Sequence, residues 1–180
     1  MYGLVNKAIK DLVVEKHGQE KWQEICTAVG FAESDFISMS PYPDKLTYDL
    51  VGAASKILKT DANAILEAFG EHWILYTAEQ GYGDLLDLSG ASFTEFLGNL
   101  DMLHLRINNM MPELKAPLFS TQNETKNSVE LLYKSHRKGL VPMLIGLIKG
   151  LGKRFDMVVQ IEELPSEESS EKGLVFKITW

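Results

Sequence analysis

Two groups of residues in this chain have types and spacings that could carry chemistry. The first is His104, in the segment NLDMLHLRINNM. At helical spacing Leu100, Leu103, Ile107 and Met111 share its face, so the imidazole points into apolar surroundings. A histidine so placed is most often a core residue with one satisfied hydrogen bond. It can also give one ring nitrogen to a metal: a flat, apolar macrocycle needs one axial nitrogen and an apolar slot, with no second or third histidine nearby, and His104 meets that requirement.

The second group is Tyr133-Lys134-Ser135-His136-Arg137. Strand periodicity puts Tyr133, Ser135 and Arg137 on one face with Val129 and Leu131, three hydrogen-bond donors at the end of an apolar stripe. A phenol, a hydroxyl and a guanidinium fork suit two carboxylates lying against an apolar plate, because arginine pairs bidentately with carboxylate. The alternative is an edge strand with a solvated polar face.

The elements that must position these residues are mostly helices up to residue 110. Val5, Ile9, Leu12 and Val13 make one apolar stripe, and a second helix after His17-Gly18 carries Trp22, Ile25, Cys26 and Val29. Pro41 and Pro43 oppose helix continuation and predict a loop over Ile37 to Asp44. Helix resumes from Lys45 to Leu58. Thr60-Asp61 then offers cap oxygens to a long amphipathic helix through Phe69, Trp73 and Tyr76 that ends before Gly81. Gly70 inside it implies close packing, or a bend against something flat. Ser92-Phe93-Thr94-Glu95 has the form of a capping box and is expected to open the helix that carries His104. His17, His72 and His136 have no assigned part.

Beyond Pro112 the period changes from 3.6 to 2. Lys115 to Ser120 and Ser128 to Arg137 predict a hairpin around the polar turn TQNETKN. Leu140 to Phe155 predicts a helix, and Met157 to Glu163 with Gly173 to Trp180 a second hairpin around PSEESSEK. The expected class is α+β: an N-terminal helical lobe, then a C-terminal antiparallel sheet with packed helices. One domain over residues 1–180 accounts for the whole.

Composition narrows the function further. The net charge of -7, from 18 Lys+Arg against 25 Asp+Glu, repels phosphate backbones and argues against nucleic acid. A single cysteine, Cys26, allows no internal disulfide and fits a reducing cytoplasm. The N-terminus alternates apolar and charged residues unlike a signal peptide, and no apolar run reaches the ~20 residues of a membrane span.

The chain resembles the haem nitric oxide/oxygen binding (H-NOX) family, found in bacteria as stand-alone proteins and in animals as the haem domain of the beta subunit of soluble guanylate cyclase. The MYG start, LVGAASKIL, NLDMLH, APLF, Y-x-S-x-R and GLIKG carry the resemblance over essentially the whole chain. It implies a haem b buried between the lobes, with His104 as proximal iron ligand and Tyr133, Ser135 and Arg137 holding the propionates. It further implies that Pro117 presses on the haem and distorts it, and that strain of this kind can serve in switching.

Oxygen-binding members carry a tyrosine on the C-terminal helix. Here that segment is Val141 to Ile145, no tyrosine follows Arg137, and Trp73 and Met143 face the ligand side. An apolar pocket leaves the partial charge of bound O2 unpaired, so NO, and also CO, are the expected ligands, with the Trp73 indole N–H as the one possible donor. The resemblance implies a sensor, not an enzyme, that cleaves its iron–His104 bond on binding NO and passes a shape change to a histidine kinase or cyclic-di-GMP enzyme in trans. No P-loop, GxSxG or HExxH motif occurs. The rival readings are an O2- or CO-binding haem protein, a haem enzyme, and a haem-free module.

Overall fold

The structure is a computed structural model that describes residues 1–31, 36–77, 82–165 and 173–180. Four helices begin the chain: α1 (Gly3–His17), α2 (Gln19–Val29), α3 (Asp44–Leu58) and α4 (Ala62–Thr77). The apolar stripe of α1 is buried, Ala8, Ile9, Leu12 and Val13 packing on Trp22, Ile25 and Cys26 of α2 and Leu50 and Ala54 of α3. Gly30 ends α2 in the left-handed conformation, φ 70°, a cap that glycine adopts without a Cβ penalty. Asp61 Oδ1 accepts from the backbone N–H of Asn63 and Ala64 and so opens α4. Pro41, in the loop before α3, bridges to Tyr2.

Next come α5 (Gly83–Asp87), α6 (Phe93–Gly98) and α7 (Leu100–Met110). Ser92 Oγ accepts from the Glu95 N–H, and the Glu95 carboxylate reaches back to the Ala91 N–H. This cap opens α6 and not, as expected from the sequence, the helix of His104. Asn99, at φ -97° and ψ 5°, separates α6 from α7, and its side chain donates to the Ser89 carbonyl. The polypeptide therefore turns one residue before the helix that matters most.

The sheet has four antiparallel strands, β1 (Leu118–Gln122), β2 (Ser128–Lys134), β3 (Gln160–Leu164) and β4 (Leu174–Thr179), in the order β1-β2-β4-β3. Two hairpins are joined through β2 and β4, with Leu131 opposite Phe176 and Val129 opposite Ile178 on the buried face. Asn123 takes a positive φ of 50° in the first turn. Strand β2 stops at Lys134, so Ser135 and Arg137 lie beyond the strand that was expected to carry them. The chain between β2 and β3 forms α8 (Val141–Arg154), with Pro142 in its first turn. Most of the PSEESSEK segment, and Gly81, lie outside the described residues.

Packing divides the molecule differently from the change of sequence period. One core joins α1 to α4; the other joins Leu86, Phe93, Phe96, Leu97 and Leu103 of α5, α6 and α7 to the sheet and α8. Helices α5 to α7 thus belong with the sheet, although their periodicity groups them with the N-terminal helices.

The two cores meet where α4 lies on α8. A Cβ on Gly70 would come within 2.1 Å of the Met143 carbonyl oxygen, and one on Gly146 within 2.0 Å of the Glu67 carbonyl oxygen. Gly70 is therefore a close-packing glycine, and what it packs against is another helix backbone.

Candidate functional site

A cavity lies between the two cores, walled by α1, α4, α7, α8 and the first two strands, and water centres could occupy about 260 Å³ of it. All seven residues singled out from the sequence line it: Trp73, His104, Pro117, Tyr133, Ser135, Arg137 and Met143. The remaining lining is almost entirely aliphatic and aromatic.

His104 projects from α7 among Leu100, Leu103, Ile107 and Met111, which line the same cavity. Its Nδ1 lies 2.7 Å from the Leu100 carbonyl oxygen. A carbonyl can only accept, so Nδ1 carries the proton and Nε2 keeps its lone pair. Burial pushes the His104 pKa down, and it stays below the ordinary histidine value although the Leu100 hydrogen bond and the Asp101 charge pull it up. The ring is thus held neutral, the form that ligates a metal.

The cavity lining also has a polar part. Ser135 Oγ accepts from the Arg137 N–H. The Arg137 guanidinium is already engaged: Nε donates to Asp44 Oδ2 at 2.8 Å, Nη2 to Asp44 Oδ1 and to the Leu114 carbonyl, and Nη1 to the Lys115 carbonyl. Four bonds on a group with five N–H donors leave one on Nη1. Burial pushes the Asp44 carboxyl up, but the hydrogen bonds and charges of Arg137 and the Met1 amino group outweigh it and hold its pKa below the carboxylate range. Asp44, 93 residues from Arg137, was read from the sequence only as the end of a loop.

Trp73 and Ile74 of α4 with Met143, Leu144 and Leu147 of α8 form another part of the cavity wall. Thr77 and Tyr82 also line the cavity, and no sequence pattern marks them as site residues. Their hydroxyls are committed elsewhere, Thr77 to the Trp73 carbonyl at 2.8 Å and Tyr82 toward Met39 Sδ at 3.8 Å. Two further residues had no signal beyond their position in motifs. Asp101 Oδ1 accepts from the Phe119 N–H at 2.6 Å and ties α7 to β1, and the Phe119 ring stacks on His104.

These residues fit a flat apolar cofactor that carries its own metal. Among the described residues no three His, Cys, Asp or Glu side chains gather to hold a bare ion. One neutral imidazole in an apolar slot, with a guanidinium and two hydroxyls at one end, matches a metal macrocycle with anionic substituents. The fit is less complete at Arg137, whose fork is shared with Asp44.

Comparison with known proteins agrees with this geometry. A family model described as Haem-NO-binding matches residues 2–163. Soluble guanylate cyclase 89Db of Drosophila melanogaster is 26% identical over 166 residues, covering 91% of this chain and 25% of its own. Soluble guanylate cyclase gcy-34 of Caenorhabditis elegans is 30% identical over 156 residues, covering 85% of this chain and 23% of its own. The chain therefore spans about a quarter of the length of these relatives.

Among solved structures, a mutant H-NOX protein from S. oneidensis in the Fe(II) ligation state superposes with a TM-score of 0.88 at 22% identity, over 99% of this chain and 95% of that one. An Fe(II) unliganded H-NOX mutant from K. algicida gives 0.83 at 23% identity, over 99% and 96%. At such identities these two likenesses establish the fold alone.

Proposed function

We propose, from the premise that the chain belongs to the haem-NO-binding family of haem-based gas sensors, that it holds a b-type haem through His104 and responds to nitric oxide. The observation that carries this reading is the neutral His104, Nδ1 tied to the Leu100 carbonyl, in a cavity that also contains Tyr133, Ser135 and Arg137. When bound, the haem would be held by His104 and would supply a ferrous iron able to take NO as a ligand.

Everything else falls to the protein. The Leu100 carbonyl fixes the His104 tautomer, and the aliphatic walls exclude water. Tyr133, Ser135 and the remaining Nη1 N–H of Arg137 hold the propionates, and Pro117 presses a rigid ring against the cofactor. Any movement of α7 against β1 would have to carry or break the Asp101 bond to the Phe119 N–H that ties the two together. Two arrangements of α7 with different contacts to the cofactor give NO the differential affinity that a switch requires.

The wall of Trp73, Ile74, Met143, Leu144 and Leu147 supports NO and CO over O2, because it offers at most the Trp73 indole N–H as a donor. The family is one of sensor domains, and the output must be read by another protein or domain. A histidine kinase or cyclic-di-GMP enzyme in trans belongs to this proposal, as does the reading of residues 1–180 as one domain. Among the described residues no helix is long and apolar enough to cross a membrane. A cytoplasmic setting is part of the same proposal.

The test is the visible and resonance Raman spectrum of the haem-loaded, reduced protein before NO, after NO, and in air. An iron–histidine band that NO abolishes, with no stable oxygen complex, is the expected result. A stable oxygen complex would overturn the selectivity argument, and failure to retain haem would overturn the whole reading.

A further inference from the structure

His104 is held by more than its bond to Leu100. The Phe119 ring lies 5.3 Å from the His104 ring, centroid to centroid, with the planes 27° apart. Phe119 also meets Tyr133 at 5.5 Å, and its own N–H is gripped by Asp101 on α7. Phe119 is 8% exposed and lines the cavity. A single buried aromatic thus touches both His104 and Tyr133. Its backbone is fixed to the helix three residues before His104.

We infer that Phe119 is a positioning residue that fixes the plane of the His104 imidazole and couples its movement to Tyr133; the inference rests on the reading of His104 as the iron ligand. One hydrogen bond at Nδ1 sets the tautomer but leaves the ring a rocking motion about its Cβ–Cγ bond. A second ring packed on its face removes that freedom, since offset aromatic pairs resist rotation out of the stack. The plane of the imidazole decides how well its lone pair meets an iron atom. Phe119 therefore acts on the cofactor through His104.

The coupling runs the other way as well. When His104 swings with α7, Phe119 must either follow it, pulling on β1 through its own backbone, or lose the stack and keep Tyr133. In the first case the contact between Phe119 and Tyr133 differs between the two positions of α7. A change at the proximal side is thereby communicated to the residues around Arg137 without a long-range displacement of the backbone.

The test compares wild type with Phe119→Leu and Phe119→Met, which keep an apolar side chain but lose the ring, and with Phe119→Tyr, which restores it. Two readouts are used: the iron–histidine Raman band of the reduced haem-loaded protein, and NMR exchange of the His104 Nδ1 proton in the haem-free protein. Wild type and Phe119→Tyr should share one narrow band and slow exchange. Loss of the ring should broaden and lower the band and speed exchange by about 2- to 10-fold, the factor expected of one aromatic pair. If Leu and Met variants that retain the wild-type unfolding midpoint superimpose on wild type in both readouts, Phe119 has no positioning role. Absence of an iron–histidine band in the wild type would instead remove His104 as ligand, while the exchange data would still decide whether Phe119 orders its ring.

Discussion

Replacing Gly146 by alanine probes the contact that joins the two halves of the molecule. A helix ordinarily gains about 1 kcal/mol from such a change, because glycine is the poorer helix former. Here the new Cβ would sit 2.0 Å from the Glu67 carbonyl oxygen, 2.8 Å from its carbon and 3.0 Å from the Glu71 nitrogen. All three are main-chain atoms of α4, so no rotamer change relieves the clash and the two helices must part by more than about 1 Å to restore ordinary contact. Overpacking of this kind costs roughly 1–3 kcal/mol.

Gly52, on α3, is the internal control, since nothing lies within 4 Å of its Cβ position. Gly52→Ala should gain about 0.5–1 kcal/mol. Since that gain is common to both sites, the two alanines should then differ by the overpacking cost, about 1–3 kcal/mol, in urea unfolding of the haem-free protein. Because Trp73 and Met143 stand on the helices being forced apart, Gly146→Ala should also shift the haem absorption band, whereas Gly52→Ala should not. Equal stability of the two variants would refute the claim that backbone contact, and not merely side-chain packing, joins α4 to α8.

Three other outcomes are expected. Asp101→Ala removes the acceptor of the Phe119 N–H and should cost about 1–3 kcal/mol in urea unfolding, with Asp101→Asn recovering part of the loss through its amide oxygen. Because the folded protein holds His104 below the ordinary histidine pKa, the unfolded chain takes up its proton first as pH falls. Stability of the haem-free protein should therefore decline as pH drops below about 6.5 and level off below the folded pKa, a dependence that His104→Leu removes in thermal unfolding. The Asp44 pKa is depressed in the fold, so its stabilising pair with Arg137 is present at neutral pH and is lost below the ordinary carboxylate range. Asp44→Asn should abolish that acid-limb loss in a pH series of unfolding midpoints.

Much of the fold is legible in the sequence because its signals are local. The α1 stripe, the Asp61 cap, the prolines before α3 and the change to period 2 after Pro112 each act within a few residues. The errors lie where distant contacts decide. Ser92 and Glu95 form a sound capping arrangement, but nothing in the periodicity announces the interruption at Asn99. Helices α5 to α7 join the sheet's core because Leu86, Phe93 and Phe96 find their partners there, and sequence period does not record partners.

The site follows the same rule. His104, the Tyr133 to Arg137 motif and the distal residues can be found from type, spacing and family resemblance, and they gather around one cavity. Asp44 on Arg137, Asp101 on the Phe119 backbone, and Phe119 on His104 are pairings across the fold, and no local pattern exposes them.

The central claim is that His104 holds the haem iron. Its most direct test is the absorption spectrum of reduced His104→Gly protein, haem-loaded, with and without imidazole in solution. The account predicts that the variant lacks the histidine-ligated band of the wild type and regains it when imidazole fills the vacated side-chain space. A His104→Gly protein with the wild-type spectrum in the absence of imidazole would contradict it.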